Sequence, residues 1–212
     1  MRTSTRWTVA VLAVLAAIVA ALVSQLRDTP GGSERPAAQA GRNHRDADTP
    51  AALAGPRQRA ALPACPAAGP GPGPDRLRGV VVECAADGAE VDVARALADR
   101  AVVLNLWAYW CEPCAEELPA MQQYQRRAGD AVTVVTVHQD ENETAALLRM
   151  AELGVRLPVL QDGRRSIAAA LRLPNVMPAT VVLRRDGSVA QVLPQPFTSA
   201  DEIAAAVSAA LR

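Results

Sequence analysis

The sequence predicts an α/β fold, a central mixed sheet with helices on both faces, and three observations predict it. Two continuous apolar runs, AVVLNLW at 101–107 and AVTVVTV at 131–137, have the composition of strands buried on both faces. Each is followed by a longer segment of helical character, so strands and helices alternate. Near the C-terminus two more apolar runs flank the turn Arg185–Ser188 and lead into a helix signalled by Ser199.

The elements follow in order. Arg2 and Arg6 precede an almost uncharged stretch from Trp7 to Leu26. Twenty helical residues reach about 30 Å, the thickness of a bilayer core. The leading positive charge places the N-terminus inside and the rest outside. Residues 1–26 are therefore expected to be a membrane anchor, with a cleaved signal as the alternative. The apolar run is long for a signal, and Ala38-Gln39-Ala40 is only a distant cleavage candidate. The body is expected on the extracytoplasmic side of the cell membrane as a single-pass protein, or secreted if the signal is cleaved. No cysteine follows the span directly, which argues against a lipid anchor. Residues 27–63 are rich in Pro, Gly, Ala, Arg and Asp without apolar periodicity, and read as a disordered tether in which His44 is solvated. Residues 64–212 remain for one folded domain.

Within that domain, residues 80–83 and 90–93 read as a hairpin around Ala86-Asp87-Gly88. Residues 94–99 make at least one helical turn, and 101–107 a central strand. A helix is expected over 111–127, kinked at Pro119 by the missing backbone donor. The strand at 131–137 is followed by an αβ excursion: a helix at 141–153, a short strand at 157–160 and a helical segment at 165–171. Strands at 180–184 and 189–193 then lead to a last helix, capped by Ser199 and ending near Leu211.

Composition excludes some functions. The formal net charge is zero, so nothing suggests a nucleic-acid partner. Every basic side chain apart from two histidines is Arg, and with the heavy Ala content this reads as coding bias. Aromatic residues are scarce, yet Trp107 and Trp110 flank one motif.

That motif is Cys111-Glu112-Pro113-Cys114, placed where a buried strand runs into a helix. Two thiols at this spacing can close a small disulfide ring and reopen it. At a helix N-terminus the first thiol meets free backbone N–H groups and the positive end of the dipole. Both favour the thiolate, so Cys111 is expected to have a depressed pKa and to act as a nucleophile. A metal reading is weaker. A zinc site takes four ligands, and Cys65 and Cys84, the other two cysteines, do not form a second CxxC. No metal and no cofactor is therefore expected. A purely structural bridge at CxxC would close too short a loop to constrain the unfolded chain. Cys65 and Cys84 bracket the run GPGPGP at 69–74 and are expected to form a structural disulfide, worth about 3 kcal/mol for a loop of about twenty residues. The alternative is a second redox pair that passes electrons to Cys111.

With the strand VVLNLW, the motif WCEPC, the helix start AEELP and the later MPAT in place, the chain resembles the thioredoxin fold. More narrowly it resembles the TlpA/ResA/DsbE group of membrane-anchored, extracytoplasmic thioredoxin-like proteins, over residues 80–212. The hairpin lead-in and the inserted αβ segment also look like this group. The resemblance implies that Cys111 is the exposed attacking thiol and Cys114 the buried resolving thiol. Glu112 and Pro113 would help set the redox potential. Met177-Pro178 matches the loop in which a cis proline faces the CxxC, and the Met177 backbone would pair with an extended substrate segment. Thioredoxins carry a buried Asp six residues before the first cysteine; here that position is Asn105, which cannot titrate. Glu117 instead resembles the acidic residue of the TlpA/ResA group. Buried near sulfur, it would have a raised pKa and move protons to or from Cys114. Its neighbour Glu116 reads as solvated. Trp110 is expected to pack beside the motif and shape the approach to Cys111, with Tyr109 at the rim and Trp107 in the strand core. His138 is expected in a loop without a partner.

The implied activity is thiol–disulfide exchange, in the reducing direction on exported proteins, apocytochrome c among them. A membrane thiol donor of the CcdA/DsbD type would restore the reduced pair. Alternatives are an oxidase that introduces disulfides and a nonenzymatic module that holds a partner beside Met177-Pro178. A peroxidase is disfavoured, because no Pro/Thr-lined pocket pattern precedes Cys111.

Overall fold

A computed structural model describes residues 48–212. The expected anchor or signal at 1–26 and most of the expected tether lie outside the described residues. Among the described residues no helix is long and apolar enough to cross a membrane.

Seven strands form one mixed sheet: β1 (Val81–Cys84), β2 (Glu90–Asp92), β3 (Val102–Trp107), β4 (Thr133–His138), β5 (Val159–Gln161), β6 (Ala179–Leu183) and β7 (Val189–Leu193). Their order across the sheet is β2-β1-β5-β4-β3-β6-β7. The β3–β4 and β4–β5 pairs are parallel, and the other neighbours antiparallel. All six β3 residues are buried, as a strand with helices on both faces requires. The inserted segment supplies β5, which lies between β4 and the N-terminal hairpin and so attaches the hairpin to the sheet.

The helices are α1 (Pro50–Ala60), α2 (Val93–Ala96), α3 (Glu112–Ala128), α4 (Glu143–Glu152), α5 (Ser166–Leu171) and α6 (Ala200–Leu211). Strand alternation divides the core into two layers. Val103, Trp107, Val134 and Val182 face α3, α4 and α6, together with Leu53 of α1. Val102, Leu104, Leu106, Val135 and Val181 face α2 and α5. Side-chain caps start several helices: Asp92 on α2, Asn142 on α4 and Ser199 on α6 each accept a backbone N–H three residues on. Helix α3 continues through Pro119 as one element.

One expectation is corrected. The end of the segment read as a disordered tether is helix α1, outside the apolar pattern that marked the other helices. It is held by groups distant in sequence. The Asp48 carboxylate accepts the Glu143 and Thr144 backbone N–H groups and the Thr144 hydroxyl. Arg57 donates to Glu143 at 2.9 Å and to the Ala85 carbonyl. Arg156 donates to the carbonyls of Ala60 and Ala61. Leu53 and Ala60 are almost fully buried, 2% and 1% exposed. Tertiary contacts thus override weak local propensity in a stretch containing Gly55 and Pro56.

Candidate functional site

Strand β3 ends at Trp107 and a four-residue turn delivers Cys111 to the N-cap of α3, with Glu112 and Pro113 in the first helical turn. Pro113 costs the helix nothing there, because first-turn N–H groups have no intrahelical acceptor. Cys111 and Cys114 form a disulfide, the oxidised state of the pair. The other two cysteines pair as Cys65–Cys84, so the four thiols do not converge on one tetrahedral site. Cys111 is 6% exposed and Cys114 fully buried, so attack from outside falls on the Cys111 sulfur. That sulfur also stands at the positive end of a 17-residue helix, where a thiolate is stabilised.

Glu117 lies one turn beyond Cys114 on the buried face of α3. It has no solvent exposure, and both oxygens are engaged: Asn105 Nδ2 donates to one at 2.7 Å and the Phe197 backbone N–H to the other at 3.1 Å. Burial pushes the Glu117 carboxyl up to about 7, the two hydrogen bonds opposing it. Such a group is divided between acid and base near neutral pH, as proton transfer to a neighbouring thiolate requires. The uncharged Asn105 is therefore the partner that orients the carboxyl. Asn105 pairs in register with Thr136 on one side and Thr180 on the other, so a polar row crosses the middle of the sheet beneath Glu117. Asn105 Oδ1 and Thr180 Oγ1 in that row have no hydrogen-bond partner among the described residues.

The peptide bond Met177–Pro178 is cis. Strand β6 begins one residue later, and Ala179 pairs with Leu106. This register brings Pro178 to the end of β3 that leads into Cys111. Pro178 is buried, and Met177 packs against the apolar cluster that includes both redox cysteines. Glu112 accepts from Arg149 of α4 at 2.8 Å. Trp110, expected to pack down beside the motif, is instead 57% exposed, its indole N–H held by Asp140 at 3.0 Å.

His138 is a second correction. It is the last residue of β4, fully buried, and tilted against the Trp107 ring at a centroid distance of 4.9 Å. Its Nε2 accepts the Tyr109 backbone N–H at 3.4 Å, so Nδ1 carries the proton and donates to Gln161 Oε1 at 2.9 Å. Gln161 in turn donates to the Asp140 carbonyl at 2.7 Å. Burial pushes His138 down to about 4, which keeps it neutral at physiological pH. Counting alternate residues inward from Val134 would have found it. Asp140, Arg149 and Gln161 carried no comparable signal, since their partners lie 21 to 37 residues away in the chain.

Known proteins share this arrangement in part. Residues 63–207 match the Redoxin family. Over 103 residues the chain is 33% identical to thiol-disulfide oxidoreductase ResA of Bacillus subtilis (strain 168), covering 48% of this chain and 57% of that protein. Over 100 residues it is 33% identical to thioredoxin-like protein YneN of the same strain, covering 44% of this chain and 55% of that one. The chain thus spans a little over half the length of these curated relatives. Among solved structures, MTB DsbF superposes with a TM-score of 0.57 at 25% identity, covering 65% of this chain and 98% of that one. A secreted Mycobacterium tuberculosis disulfide oxidoreductase homologous to E. coli DsbE gives 0.55 at 26% identity, covering 64% and 98%.

Proposed function

The chain belongs to the Redoxin family, and from that premise we propose that it is a thiol–disulfide oxidoreductase that reduces disulfides in exported proteins. One observation carries the reading: the pair Cys111/Cys114 opens helix α3 while a buried carboxyl poised near neutrality sits one turn further on. In the reduced protein the Cys111 thiolate attacks a substrate disulfide, forming a mixed disulfide and releasing one substrate thiolate. Cys114, its proton taken by Glu117, attacks the Cys111 sulfur and expels the second thiolate. Two electrons pass to the substrate, and Cys111–Cys114 is left oxidised. A membrane thiol donor of the CcdA/DsbD type would supply the next pair.

The substrate is a polypeptide. Large apolar side chains are mostly buried here, yet Trp110 and Val176 stand 57% and 44% exposed beside Cys111 and Met177. The Met177 backbone offers strand-like pairing to an extended segment. An extracytoplasmic location is supported by the Cys65–Cys84 disulfide, a bond that persists in oxidising compartments, and by the secreted mycobacterial relative. Membrane attachment rests on the apolar run at 7–26. The reducing direction, with apocytochrome c as one candidate substrate, rests on the likeness of the Cys-Glu-Pro-Cys motif to ResA-like proteins.

The test is the reduction potential of Cys111/Cys114. A value near or below about −220 mV supports the reductase; one near about −120 mV makes the protein an oxidant. Cys114→Ser should trap substrates covalently in cells. Full function in Cys111→Ser would show a binding module instead.

A further inference from the structure

We propose that Arg165 is a positioning residue that ties together the two loops flanking Cys111 and so sets how the site holds an extended protein substrate. The inference rests on the thiol–disulfide reading above. Arg165 Nη1 donates to Asn175 Oδ1 at 2.6 Å, two residues before Met177. Its Nε donates to Gln139 Oε1 at 3.3 Å. Gln139 in turn donates its backbone N–H to the Trp107 carbonyl at 2.9 Å, at the point where β3 turns toward Cys111. One guanidinium therefore joins Gln139, whose backbone N–H holds the last residue of β3, to the loop that leads into Met177 and receives substrate backbone. The rigid fork of Arg can serve two separate acceptors at once, which the single ammonium of Lys does poorly.

A local cost falls at this contact. Arg165 adopts φ +58°, a left-handed conformation disfavoured for a long side chain and cheap only for Gly or Asn. Gln139 is 5% exposed, and with its carbonyl turned to Arg165 its amide nitrogen has no hydrogen-bond partner among the described residues. Backbone strain at the residue that makes this contact marks a geometry retained for function rather than for stability. The contact also explains a use for the inserted segment, which supplies Arg165 at the start of α5.

The experiment compares the full-length parent, Arg165→Asn and Asn175→Ala. Asn tolerates the left-handed backbone, and Asn175 is exposed, so both variants should fold. Each reduced protein is reacted with insulin, a protein disulfide, and with oxidised glutathione, a small linear one. The expected result is a fall of about tenfold in kcat/KM for insulin relative to any fall for the small disulfide, carried by KM. The double variant should be no worse than either single one. Equal losses on both probes would show a merely structural role and overturn the proposal, as would no loss on insulin. A parent that exchanges with neither probe would overturn the oxidoreductase reading, and this inference with it.

Discussion

Glu117 shows what burial does to one carboxyl. It titrates near 4.5 in the unfolded chain and near 7 in the fold. Between those values the folded form keeps a proton that the unfolded form has lost. Its stabilising contribution is therefore complete below about pH 4.5, falls as pH rises, and is gone above about pH 7, a change of about 3 kcal/mol. Glu117→Gln abolishes this term. Parent stability minus variant stability, from denaturant unfolding of the oxidised forms, should drop by about 3 kcal/mol between pH 4 and pH 8. A flat difference would remove Glu117 as the titrating group. The same variant should slow exchange by about 10²-fold at pH 7. His138 bends the profile the other way. Its pKa lies below the unfolded value of 6.5, so its part in stability is lost as pH falls from there toward 4. The two slopes oppose each other in the window they share, and the parent profile there understates both.

At the scale of elements, the strands and the helix after Cys111 were legible because their apolar runs are long and continuous. Helix α1 was not. PAALAGPRQRA has one large apolar residue, Leu53, and two poor helix formers in its interior, Gly55 and Pro56, and it is fixed by Asp48, Arg57 and Arg156 through partners 28 to 96 residues away. The same separation hid half of the site. Cys111, Cys114, Glu117 and Pro178 stood out in local motifs, whereas Asn105 as the donor to Glu117, the Phe197 backbone, and Arg165 with Gln139 and Asn175 meet only when the chain folds. Leu53 is the apolar anchor of α1, in one cluster with Leu147 and Met150 of α4. Leu53→Ala should cost about 2–4 kcal/mol in chemical denaturation. A cost below about 0.5 kcal/mol would mean that α1 is held by its polar contacts alone.

Across the whole molecule the two disulfides divide the work. Cys65–Cys84 fastens the segment before the hairpin to β1, at the far side of the sheet from the β3–β6 pair that frames the redox site. Removing it as Cys65→Ala/Cys84→Ala should lower stability by about 3 kcal/mol while leaving the Cys111/Cys114 exchange rate intact. Loss of exchange would instead make it a second redox pair. Helix α1 has a further practical consequence. The Redoxin match begins at residue 63, after α1 has ended. A fragment cut at that boundary would contain all four cysteines and every strand among the described residues, yet it would bare the apolar surface of α4 that Leu53 covers. Such a fragment would be prone to self-association through the bared surface around Leu147 and Met150. The boundary of the family match and the boundary of the contacts that hold the fold are different places in this chain, for α1 and Asp48 lie outside the first.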